Sequence, residues 1–162
     1  MSKDYLEVPQ PEEITIRERE DAMGGYLMMF ASFAVGLPLP IINLIAAVIY
    51  YFTNRGKSRF VDFHVTQSLF SQLPTTLMNA VLVGWTIRTF YYEIAFTDMY
   101  KGYLVMVVLA NIIYLIFSII AAVRARRGQF YYFIFFGPWA YHLCFKNKAV
   151  AQGEMVNKPP RL

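Results

Sequence analysis

Residues Gly102–Val123 run for 22 positions without a charged side chain. As a helix the stretch rises about 33 Å, enough to cross a hydrocarbon core of about 30 Å. Composition says what surrounds it. Hydrophobic residues make up 57% of the 162-residue chain and charged residues 16%, whereas a soluble domain carries about a quarter charged residues. Lipid, rather than water, is the expected solvent for most of the surface, and the length fits one domain.

Three further apolar stretches flank this one. Gly24–Phe52 is interrupted by Gly36-Leu37-Pro38-Leu39-Pro40, where two prolines remove backbone donors and clash with the preceding turn. Each arm, Gly25–Val35 or Ile41–Phe52, reaches about 18 Å as a helix, so the region is either one kinked span or a hairpin. Val65–Tyr92 reads as a second span with a kink at Pro74, and Glu93–Lys101 as a polar connector. In Phe130–Phe145, nine of sixteen residues are Phe, Tyr or Trp, a composition suited to the headgroup level. The fold expected is an all-α membrane protein: a small helical bundle with a Pro-broken first region, two clear transmembrane helices and a short aromatic interfacial or re-entrant C-terminal segment. Residues 1–23 form an acidic tail with a short helix beginning at Pro11, Glu12 and Glu13. Residues 24–145 form the bundle, and 146–162 a basic, disordered tail.

Charge chooses the orientation. Residues 1–22 hold seven acids against three cations, and the remainder twelve cations against four acids. The later cations sit at the ends of apolar stretches, which points to anionic lipid rather than nucleic acid. With the first region as a hairpin, thirteen Lys/Arg lie on one side and only Arg88 and Lys101 on the other; a kinked span sorts them ten to five. The better sorting puts both termini in the cytoplasm. The lone Cys144 allows no internal disulfide.

Polar residues recur on helical faces. Ser68, Gln72, Thr75, Asn79 and Thr86 share one face of the second region; Asn111, Tyr114 and Ser118 share one of the third; Asn43 and Tyr50 lie seven apart in the first. Such faces meet inside a bundle, so Asn43, Gln72, Asn79, Asn111 and Ser118 are assigned interhelical polar contacts. Between the first two regions lies a basic elbow at the membrane surface, comprising Arg55, Lys57, Arg59, Asp62 and His64. Its cations suit lipid phosphates, and Asp62 suits a cap or salt-linked turn. No nucleophile is paired with a base. The two histidines, His64 and His142, lack companions for a metal site. No catalytic, metal or cofactor residue is assigned, and enzyme activity is not expected.

The run Ser58-Arg59-Phe60-Val61-Asp62-Phe63-His64 with Gln67, the lead-in Arg19–Met23, the segment Pro38–Asn43 and the run Ala122–Tyr131 together resemble the bacterial relatives of Tic-twenty, the small subunit of the chloroplast inner-envelope translocon. The resemblance implies a helical bundle in a bacterial inner membrane with both termini on the cytoplasmic side, placed beside a protein-translocating or membrane-assembly complex. The expected function is a non-enzymatic membrane scaffold or accessory subunit of a protein-translocation or membrane-biogenesis complex. The alternative is a small oligomeric channel lined by the uncharged polar faces. Expected partners are membrane lipid and other membrane proteins, in a hetero- or homo-oligomer.

Overall fold

The computed structural model describes residues 5–34 and 40–146. The expected break at Gly36–Leu39 and the tail from residue 147 onward lie outside them. Among the described residues there are five helices of ten residues or more: α1 (Ile16–Leu27), α2 (Pro40–Asn54), α3 (Arg59–Tyr91), α4 (Asp98–Arg126) and α5 (Phe136–Phe145). No strand forms among them; Tyr5 and Lys146 make one isolated antiparallel bridge.

The first helix begins later than the sequence reading placed it. Pro11–Glu13 make only a 3-10 turn, because Ile14 is extended and buried. The start signal is Thr15, whose hydroxyl accepts from the Glu18 amide while the Glu18 carboxylate accepts from the Thr15 amide at 2.8 Å. This reciprocal box satisfies two of the free donors at a helix start. The Thr15 hydroxyl holds the Glu18 carboxyl below its usual range. The cap therefore stabilises the fold above the ordinary glutamate pKa and fades as pH falls through the lowered value. Arg19 ties the lead-in down, donating to the carbonyls of Ile14 and Pro11 at 3.0 and 2.7 Å.

α1 continues through a 3-10 turn, Met28–Phe30, into the helical turn Ala31–Ala34, and α2 returns beside it. The Tyr50 hydroxyl donates to the Asp21 carbonyl at 3.0 Å, and the Ser32 amide donates to Asn43 Oδ1 at 2.7 Å. The partners run in opposite directions, so the described arms form a hairpin. Lys57 closes its open end with an ion pair to Asp21 at 2.9 Å. At the elbow Gly56 takes φ +86, a left-handed conformation that favours glycine. Its amide donates to Asp62 Oδ1 at 2.6 Å. Ser58 then caps α3, its hydroxyl accepting from the Val61 amide.

α3 has 33 residues and passes through Pro74 without ending; its length is about 50 Å. α4 is the one helix among the described residues long and apolar enough to cross a membrane, and only 17% of its most apolar stretch is buried. Of the two clear spans expected from the sequence, α4 alone meets that requirement of length and apolarity, and the second is not confirmed by it. The reason is the face α3 turns inward, where Thr66, Gln67, Ser68, Ser71, Gln72 and Thr76 are all buried. Its outward face remains apolar, with Leu73, Leu77, Val81 and Ile87 exposed. The ten residues of α5 rise about 15 Å, too little to cross.

The main core gathers Ala22 and Tyr26 of α1, Phe60 of α3, Ala121, Ala122 and Ala125 of α4, and Phe133. Alanines on α4 let α1 approach closely, as small residues do between membrane helices. Gly25 does the same against α3, where a Cβ would sit 3.3 Å from Val65 Cγ1 and 3.4 Å from Val65 Cα. Gly25→Leu should cost about 1–3 kcal/mol, in line with overpacking a filled interface. Thermal unfolding of the purified protein in detergent would read this as a lowered midpoint.

Candidate functional site

Three polar constellations stand out, and the deepest is centred on Gln67. Its side-chain amide donates to the Tyr26 hydroxyl at 2.8 Å and to the Tyr131 carbonyl at 2.9 Å; its Oε1 accepts from the Phe133 amide at 3.1 Å. The backbone partners fix which end of the amide is oxygen. The Tyr26 hydroxyl also shares a hydrogen bond with His64 Nδ1, 2.9 Å away. The other ring nitrogen of His64, Nε2, has no partner among the described residues, and the ring packs among those of Phe60, Phe63 and Phe130. Ser68, one residue on, donates to the Gly25 carbonyl at 2.7 Å. Gly137 lets the aromatic segment close over this hub, since a Cβ there would stand 2.7 Å from the Tyr132 backbone and 3.0 Å from Gln67 Oε1.

His64 is therefore fully buried and does not belong to the surface elbow where the sequence reading placed it. The aromatic enclosure and the tyrosine partner draw it inward. The other elbow residues stay near the surface. Arg55 lies over the Tyr51 ring at 5.6 Å. Lys57 joins Asp21 and Asn54, and Arg59 donates to the Cys144 carbonyl at 3.3 Å. Arg55, Arg59, Asp62 and Lys146 share a groove of about 720 Å³.

The third constellation is where the three polar faces converge. Asn79 and Asn111 exchange amide hydrogen bonds at 3.1 and 3.2 Å, and each also donates back to its own helix. Asn43 receives the Ser32 amide. These residues, with Gln72, Thr76 and Tyr114, border a recess of about 410 Å³. Gln72 and Ser118 are buried, with their polar atoms covered and without a hydrogen bond of full geometry among the described residues. Both lie beside the Tyr114 hydroxyl, Gln72 (with Ser71) from across the α3–α4 interface and Ser118 from one turn along α4. Gln72 also borders the recess, and Ser118 a separate cavity beside α1. Leaving a buried amide or hydroxyl unpaired costs about 1–3 kcal/mol.

Sequence reasoning missed the Gln67 hub as a unit. Gln67 itself is visible in the elbow, but Tyr26 is one aromatic among many, and the Tyr131 and Phe133 partners are backbone atoms. Beyond the hub, twelve consecutive or near-consecutive aliphatic and Phe side chains of α4, from Leu104 to Val123, stand 37% or more exposed. An apolar surface that continuous is foreign to a water-soluble monomer.

These features define an all-helical integral membrane protein. The chain belongs to the magnetosome magnetite crystal formation protein family, whose model matches residues 21–140. No curated protein and no solved structure matches it. The match overturns the resemblance to the Tic-twenty relatives, and with it the basis for a translocon role. Of the residues that carried that resemblance, Phe60, Phe63, His64 and Gln67 are buried in the bundle, and motifs that hold a fold together carry fold better than function.

Two substitutions test the geometry. Gln67→Leu strands the Phe133 amide and the Tyr131 carbonyl and leaves the Tyr26 hydroxyl with His64 alone; hydrogen exchange at the Phe133 amide should quicken at least tenfold, and unchanged protection would refute the hub. For the asparagine pair, a cycle of Asn79→Leu, Asn111→Leu and the double variant should give a coupling of about 0.6–2 kcal/mol in unfolding free energy.

Proposed function

We propose that this chain is a non-enzymatic scaffold of the magnetosome membrane, acting in magnetite crystal formation as an accessory subunit bound to other membrane proteins. The observation that carries the reading is the family match, which runs from the middle of α1 to the middle of α5 and takes in α2, α3 and α4. The structure supports it in two ways. The polar side chains are turned inward to hold helices together, in the Gln67 hub and the asparagine pair. The outward faces of α3 and α4 are apolar, free for lipid or for the helices of a partner. Among the described residues no group of three His, Cys, Asp or Glu is arranged to hold a metal ion.

The elbow and the Arg124–Arg127 cluster lie at one end of the bundle, while Arg88 and Lys101 lie at the other. By the positive-inside rule the first end faces the cytoplasm, and both termini with it. The groove of Arg55, Arg59 and Lys146 then meets the anionic headgroups of that leaflet. The channel reading draws less support, because Asn79 and Asn111 close on each other where a lumen would need them apart.

In magnetite-forming cells, the tagged chain should fractionate with magnetosome membranes and co-purify in mild detergent with other membrane proteins, and its deletion should change crystal size. Unchanged crystals together with recovery as an isolated monomer would refute the proposal. Arg55→Cys should react with an impermeant thiol reagent only from the cytoplasmic side, and Ile94→Cys only from the opposite side.

A further inference from the structure

The groove at the elbow has a cationic end and an apolar end. Arg55 follows α2, Arg59 opens α3 and Lys146 follows α5, so three elements bring one cation each to its border. All three are exposed, and both arginines lie near enough to the Cys144 sulfur to act on its charge. Asp62 is the one acid bordering the groove among the described residues, and its Oδ1 is already taken by the Gly56 amide. Away from the cations the border changes. Arg59, Asp62, Thr66 and Phe70 follow one another at spacings of three, four and four, so they share one face of α3. Phe70 stands eleven residues beyond Arg59, about 16 Å further along the helix. α5 lines the other side. Its Cys144 carbonyl meets the Arg59 guanidinium at one level, and its Trp139 stacks on Phe70 at 4.6 Å at the other. Leu143 lies between those levels and is 49% exposed.

We infer that the groove holds one anionic phospholipid of the cytoplasm-facing leaflet, its phosphate bound by Arg55, Arg59 and Lys146 and an acyl chain laid along Leu143 and Phe70. The inference deepens the headgroup contact proposed above and takes its leaflet from that reading. General attraction to a charged surface needs only cations near a helix end. Here three elements deliver them to one cleft of about 720 Å³, a volume that suits a ligand site. Two of the cations are guanidinium groups, whose planar fork matches phosphate oxygens. Three cations against one engaged acid favour an anion over a zwitterion, whose ammonium would add a further positive charge. A free phosphate would leave the apolar half empty, and a pure hydrocarbon would leave the cations unused. A lipid matches both halves in the right order, since the cations lie at the membrane surface and Phe70 at hydrocarbon depth.

The test uses the full chain in detergent micelles, titrated separately with dioctanoyl phosphatidylglycerol, dioctanoyl phosphatidylcholine and inorganic phosphate. Native mass spectrometry counts bound lipid. The lone Cys144, on the border of the groove, reports occupancy through its rate of alkylation by a maleimide. The expected result is a saturable one-to-one phosphatidylglycerol adduct, with Cys144 alkylation slowed at least fivefold at saturation. Arg55→Gln combined with Arg59→Gln should weaken that adduct at least tenfold. Leu143→Trp, which fills the apolar half, should weaken it with the cations intact. Arg126→Gln combined with Arg127→Gln, at the same end of the bundle but outside the groove, should leave it unchanged. Arg55, Arg59 and Leu143 are exposed, so these variants should fold, and protection of Cys144 in the unsubstituted chain tests the site without them. The site is overturned by the absence of a saturable adduct, by phosphatidylcholine binding as tightly, or by phosphate alone protecting Cys144 equally. Equal weakening by the Arg126 and Arg127 pair overturns it too. None of these results bears on magnetite formation or on orientation, which the deletion and the Arg55→Cys labelling read separately.

Discussion

The side-chain amide of Gln67 holds the bundle's parts in register. One residue on α3 reaches the tyrosine of α1 on one side and two backbone groups of the aromatic segment on the other. In water a lost partner is replaced by solvent. In a bilayer the amide, the tyrosine hydroxyl and the exposed peptide groups have only each other. That makes the geometry exacting and explains why the segment between α4 and α5, which forms no regular structure, is nevertheless fixed. Phe133 is buried there, with its amide used by Gln67 and its carbonyl by Gly137.

The same solvent logic explains the small residues. Gly25, Ala121, Ala122 and Ala125 gain nothing by sequestering themselves from oil. They let backbones come close enough for dispersion and for hydrogen bonds such as Ser68 to the Gly25 carbonyl. Large residues occupy the lipid face of α4 instead. A soluble helix of this length would show the reverse arrangement, with its bulk inside.

Much of this was legible in the sequence. The uncharged run Gly102–Val123 marks α4, the heptad-like spacing of polar residues marks the faces that meet, and the prolines and charge sorting favour a folded-back first region. The rest was hidden for identifiable reasons. α3 looked like a plain span because its apolar half dominates a linear reading, whereas the structure gives its other half to the interior. His64 looked like an elbow residue because it follows Arg59 and Asp62, yet one turn of helix carries it under three aromatic rings. Pro11 looked like the start of the first helix because acids follow it, and the burial of Ile14 moves that start on to Thr15. For the site, the spacing showed that Gln72, Asn79 and Asn111 share an environment. It did not show that two of them pair with each other while the third is buried beside Tyr114, since that depends on depths along neighbouring helices.

One feature of the hairpin sets the outline of the molecule. Ser32 and Asn43 mark how deep its described arms go, beside Asn79 and Asn111. Past that level the contacts of α3 and α4 are with each other, through Thr86 to Tyr100 and Trp85 to Tyr103. At the elbow end, then, all five described helices brace one another, whereas at the Thr97 end α3 and α4 lean on a single shared seam among the described residues.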